Sequence, residues 1–133
     1  MNSAPGMGGR EDEFLKRLLA TFRVEAQEHL REISVGLIQL EKMPDAEQRR
    51  DYIEAIFREA HSLKGAARSV NLTEIETLCQ AMEGVFADLK AGNRQLSQEL
   101  FDLLHQGVDS LQRAVTPQQS GAGNSIAAML SLA

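Results

Sequence analysis

Residues 56–72 read IFREAHSLKGAARSVNL, and their spacing decides the fold. Ile56, Phe57, Ala60, Leu63, Ala67 and Val70 recur at intervals of one, three or four residues, the period of a single apolar helix face. Ile53 extends the stripe upstream. Asp45 is placed to cap the start of this helix by accepting from a first-turn N–H. Asn71 falls where a chain often leaves a helix in the left-handed conformation, which asparagine tolerates better than most residues other than glycine.

The same period runs outward on both sides. From about Glu11, the residues Phe14, Leu15, Leu18, Leu19, Phe22, Ala26, Leu30, Ile33, Leu37 and Leu40 form one stripe, which Pro44 stops just after Met43. Thr73 with Glu76 reads as a capping box opening a third helix that buries Ile75, Leu78, Cys79, Met82, Val85, Phe86 and Leu89. Gly92 ends it. Ser97 caps a fourth helix carrying Leu100, Leu103, Leu104, Val108, Leu111 and Val115, and Pro117 closes it. Short connections make sequential helices antiparallel, so the expected fold is all-α: an antiparallel up-down four-helix bundle over residues 11–116. Residues 1–10 read as a flexible leader. Beyond the bundle, 117–133 comprise a linker (QQSGAGN, 118–124) and a short apolar segment (SIAAMLSLA, 125–133). That segment is either a short fifth C-terminal helix docked on the bundle or the place where a longer protein was cut, the second being the preferred reading.

Bulk composition agrees with this outline. The 133 residues amount to one domain, 43% hydrophobic and 25% charged, as in a soluble globular protein. With only 5% aromatic residues and three prolines, helices fit better than a β-sandwich. A net charge of −5 argues against nucleic acid as a partner, which calls for a basic footprint. The single cysteine, Cys79, cannot form an internal disulfide and fits a reducing cytoplasm. No apolar run approaches the ~20 residues of a membrane span, so no membrane association is expected. The bundle can bury its stripes as a monomer.

Catalytic motifs are scarce: the sequence has no P-loop, G-x-G-x-x-G, H-E-x-x-H or C-x-x-C. No metal is expected, because no two of His29, His61, His105 and Cys79 share ligand spacing. Cys79 lies on a buried stripe and reads as a core residue. His29 and His105 neighbour stripe residues and read as structural or surface histidines.

His61 differs through its surroundings. Following Ala60, it sits at the edge of the buried face, within reach of solvent. Arg58, Lys64 and Arg68, at i−3, i+3 and i+7, form a cationic strip that would neutralise an anionic group on the imidazole, or else are an ordinary solvated basic face. Gly65, at i+4, occupies a helix interior at a cost of about 1 kcal/mol relative to alanine. It leaves one side of the imidazole bare for a partner's active site; a glycine there can also serve tight helix packing or be incidental.

These residues resemble the H-x-x-K-G core of histidine phosphotransfer domains, and more closely the N-terminal phosphotransfer domain of CheA-type chemotaxis histidine kinases. The resemblance covers roughly residues 14–115 and includes the A-H-S-[IL]-K-G context of His61, Ser62, Lys64 and Gly65. It implies that His61 is the phosphoacceptor, that Lys64 steadies the phosphoryl oxygens, and that Glu83 accepts a hydrogen bond from the histidine ring. Ser62, Gly65, Arg68 and Gln80 would support them. It further implies two protein partners. One is a histidine kinase catalytic domain, in the same or another chain, that uses ATP and Mg²⁺; the other is a response-regulator receiver domain whose aspartate takes the phosphoryl group. The domain itself would bind no cofactor: with no ATP site it is a phosphocarrier substrate, part of a protein-histidine kinase or a free-standing relay carrier. A non-catalytic helical adaptor bundle is the alternative of a different class. Two positions depart from the CheA pattern: Asn71 stands where glycine often ends the second helix, and Gln80 stands where a second histidine can precede the carboxylate by one turn. Gln80 can hydrogen-bond but cannot titrate, so it has no proton to tune at that position.

Overall fold

The computed structural model describes residues 5–116, and every regular element among them is an α-helix: α1 (Pro5–Lys42), α2 (Ala46–Ser69), α3 (Thr73–Ala91) and α4 (Gln98–Val115). The helix ends follow local chemistry. Asp45 accepts from the Glu47 N–H at 3.1 Å and Ser97 from the Leu100 N–H at 3.1 Å, so both side chains cap as expected. Asn71 (φ 60°) and Gly92 (φ 80°) turn the chain out of α2 and α3 in the left-handed region.

The third helix starts differently from the sequence reading. Leu72 takes the cap position with no side-chain bond, and Thr73 is already helical. The exit from α2 accounts for this. The Leu72 N–H bonds back to the Ala67 carbonyl at 3.0 Å while its side chain packs against the core. A helix-ending motif with its apolar contact therefore sets the register, outweighing a hydroxyl cap of about 1 kcal/mol.

At the other end, α1 begins at Pro5, so residues 5–10 of the expected leader belong to the helix. Proline suits a first helical position because its missing N–H would be unpaired there anyway. The linker and short apolar segment read over 117–133 lie outside the described residues.

The four helices form an antiparallel up-down ring in which α1 packs on α2 and α4, and α3 packs on α2 and α4. Cross-helix pairs record the alternation: Lys90 with Glu54 and Arg68 with Glu76 between α2 and α3, and Glu41, near the end of α1, with Gln98 at the start of α4. Leu30, Ile33, Leu37, Ile56, Leu63, Leu78, Met82, Phe86, Leu104 and Leu111 fill the core. Gly36 lies where α1 meets α2, and a Cβ there would come within 2.9 Å of Ile56 Cγ1. No described helix is long and apolar enough to cross a membrane.

One part of the expected core is not buried. Phe14, Leu15 and Leu18 are 58%, 48% and 39% exposed. At 1.5 Å per residue the 38 residues of α1 span about 57 Å, against about 36 Å for the 24 residues of α2 and less for α3 and α4. Periodicity identifies the face but not whether a partner helix extends far enough to cover it.

Candidate functional site

The bundle places its chemistry on the face shared by α2 and α3. His61 follows the buried Ala60 by one residue, about 100° around α2, which leaves its ring at the rim of the helix interface with the side chain 63% exposed. Across the interface, Glu83 lies on α3 next to the fully buried Met82, and is itself only 9% exposed. Its carboxylate reaches out to His61: Nδ1 of the imidazole is 2.5 Å from Oε2.

A buried carboxylate requires compensation, and this one has two sources. Beyond the imidazole, the Lys64 ammonium stands 2.6 Å from Oε1. Burial pushes the Glu83 carboxyl up, but the contacts with Lys64 and His61 outweigh it and hold the group below its ordinary range. Glu83 is therefore an anion at neutral pH and can only accept, so the hydrogen it shares with the ring is the one on Nδ1. That fixes the neutral imidazole as the Nδ1–H tautomer, with its lone pair on Nε2. Nε2 has no partner among the described residues.

The other expected residues fall around this pair in different ways. Lys64 donates to Gln80 Oε1 at 3.1 Å, so Gln80 orients the lysine and does not touch the imidazole. With its side chain 16% exposed, Lys64 is committed to Glu83 and Gln80 instead of projecting freely toward solvent. The cationic strip is similarly engaged: Arg58 Nε bonds Glu54 at 3.0 Å and Arg68 Nε bonds Glu76 at 2.8 Å. Ser62 is exposed and outside this network. Among the described residues a Cβ at Gly65 would meet nothing within 4 Å, which removes tight packing against them as the reason for glycine.

Sequence reasoning missed two contacts. The Phe57 ring stacks along the His61 imidazole, centroids 6.4 Å apart and planes 14° from parallel, and Lys90 Nζ sits 4.7 Å above Phe57 on its way to Glu54. The i, i+4 spacing of Phe57 and His61 is a usable signal for the first contact, but one masked by the place of Phe57 in the core stripe; Lys90 carries no such signal. The remaining titratable candidates stay apart from the site. His29 pairs with Glu59 at 2.7 Å and His105 with Glu41 at 3.3 Å, each a helix-to-helix tie. Cys79 is fully buried, and burial pushes its thiol up to about 12, a core residue with no available thiolate.

Known proteins resemble this chain along most of its length. The sequence model of the Hpt domain family matches residues 17–114. Among curated proteins, the chain is 31% identical over 104 residues to the chemotaxis protein CheA of Listeria monocytogenes, covering 78% of this chain and 16% of that protein. It is 30% identical over 101 residues to CheA of Bacillus subtilis, covering 76% and 15%. Against CheA of Salmonella typhimurium it is 34% identical over 93 residues, covering 69% and 13%. The chain thus spans about a sixth or less of the length of these relatives.

Proposed function

The chain belongs to the Hpt domain family, a phosphotransfer domain similar to the phosphotransfer regions of CheA proteins, and from that premise we propose that His61 is its phosphoacceptor, loaded by a histidine kinase catalytic domain and unloaded by a response-regulator aspartate. The observation that carries this reading is the His61–Glu83 pair: an exposed imidazole whose Nδ1 is tied to a buried carboxylate. In the loading step the Nε2 lone pair attacks the γ-phosphorus of ATP held by the kinase domain. The N–P bond forms as the bond to the ADP oxygen breaks, and ADP leaves with the electron pair. Positive charge develops on the ring, whose Nδ1–H stays on Glu83, and the carboxylate stabilises it. In the unloading step an aspartate oxygen of the receiver attacks phosphorus, the N–P bond breaks, and neutral His61 is regenerated. Both reactions need Mg²⁺ on the partner; this domain supplies the carrier.

Lys64 stands at the Glu83 oxygen away from His61. Its first task is to hold Glu83 ionised, and contact with the phosphoryl oxygens requires it to give up part of that pairing. Gly65, one turn beyond His61 on the same helix face, leaves the approach to Nε2 open for a partner's active site.

The test is to incubate the protein with ATP, Mg²⁺ and a CheA-type kinase core and follow acid-labile phosphate. Wild type is expected to label and then to lose label on addition of a receiver domain, while His61→Gln takes up none. Label that persists in His61→Gln overturns the assignment.

A further inference from the structure

Several cavities lie outside the site described above, and one of them is lined by cations. It opens between the start of α2 and the end of α3, has a volume of about 370 Å³, and is lined by Arg49, Arg50, Lys90 and Arg94 over an apolar floor that includes Ile53 and Leu96. Among the described residues no carboxylate lines its wall, although Arg50 also borders a neighbouring pocket lined by Asp45, Glu47 and Asp51. A cluster of four cations is conspicuous in a chain of net charge −5. Three of them have other engagements: Arg49 Nε donates to the Met43 carbonyl at 2.7 Å, Lys90 pairs with Glu54 at 2.6 Å, and Arg94 stands 3.8 Å from Asp88. Arg50 is exposed and makes no ion pair among the described residues.

The position of Arg50 relative to His61 gives the cavity its meaning. Eleven residues, three helical turns, separate them on α2, which puts both on one face about 16 Å apart. The surface between them is continuous, running from Lys90 over Phe57 to the stacked imidazole of His61. A protein interface of ordinary size covers about 800 Å² on each partner, a disc of about 16 Å radius. A partner centred on His61 therefore reaches the cavity with the rim of its footprint.

Of the two partners, chemistry favours the receiver. Its docking face surrounds an acceptor carboxylate and the carboxylates that hold Mg²⁺, so it is acidic. A kinase ATP site instead presents cations to the triphosphate. Building on the role given to His61 above, we propose that the Arg50 cavity is a specificity site for the receiver domain, accepting an acidic side chain flanked by an apolar one. Charge at the rim of an interface acts on encounter rate and partner choice, not on the chemical step.

The experiment uses the full chain, phosphorylated by its kinase core, and the receiver domain to which the wild-type protein transfers fastest. Arg50→Glu is expected to raise the KM for that receiver about tenfold with kcat unchanged and to weaken the salt dependence of kcat/KM, while Arg50→Lys stays near wild type. Loading of His61 by the kinase core should be unchanged in both variants. An unchanged KM for the receiver overturns the proposal, and so does an equal loss in the loading step, which would assign the cavity to the kinase. Failure of the wild-type chain to load at all would instead overturn the role of His61, so the two failures are distinct. Arg50 is exposed at the surface of α2, and thermal melts of both variants verify that the bundle is intact.

Discussion

At His61 the decisive feature is the division of the imidazole between two environments. Nδ1 faces a carboxylate that is almost fully buried, while the ring, stacked along Phe57, is otherwise largely exposed near a glycine that supplies no side chain. Gly65 separates access from stability. Because a Cβ at this position meets nothing among the described residues, Gly65→Ala is expected to stabilise the bundle by about 1 kcal/mol through helix propensity, read as a higher midpoint in urea. Gly65→Leu should also fold, yet slow transfer to the receiver at least tenfold, because its side chain covers the approach to Nε2. A Gly65→Leu protein that transfers at the wild-type rate would mean that open access to Nε2 is not what glycine provides in this helix interior. The imidazole, its cationic neighbours and this glycine are all legible in the sequence, and the family resemblance supplies Glu83. The pairing of Lys64 with Glu83 is not, because linear spacing says nothing about which side chains meet across two helices.

At the level of the helices, close approach of α1 to α2 depends on Gly36. The facing Ile56 is 1% exposed and has little room to move, so Gly36→Ala is expected to destabilise by about 1–3 kcal/mol, measured by denaturant unfolding, although alanine is the better helix former. A stabilising effect would mean the interface relaxes freely. This glycine is inconspicuous in the sequence because it lies inside a strongly periodic stretch, where a missing side chain looks incidental. The same limit explains the two places where helix boundaries depart from the sequence reading. The start of α3 is set by how Leu72 packs after α2 ends, and the start of α1 by propagation from an already formed helix; both are tertiary or cooperative effects that a local motif does not encode. Asp45 and Ser97 are legible for the opposite reason, since each cap is made by its own side-chain oxygen.

For the whole molecule, the pH dependence of stability links the site to the fold. The Glu83 carboxyl titrates below its ordinary value of 4.5 when folded. A depressed carboxylate adds stability that is fully present above its unfolded pKa and is lost as pH falls through the folded one. The bundle should therefore lose stability below about pH 4.5, with the wild type falling more steeply than Glu83→Gln in acid unfolding followed by circular dichroism. Parallel curves would mean the pair contributes nothing to folding. The ring of four antiparallel helices is legible as a whole because apolar period and short connections determine it together, whereas the unequal lengths that leave Phe14, Leu15 and Leu18 exposed emerge only once the helices are set side by side.

If His61 carries the phosphoryl group, it does so on Nε2, the nitrogen that Glu83 leaves open. Phosphorus-31 NMR of the loaded protein, unfolded in alkali to preserve the N–P bond, tests this most directly. A single phosphohistidine resonance of the Nε2 isomer, absent in His61→Gln, is the predicted result. A resonance of the Nδ1 isomer, or one that survives in His61→Gln, would contradict it.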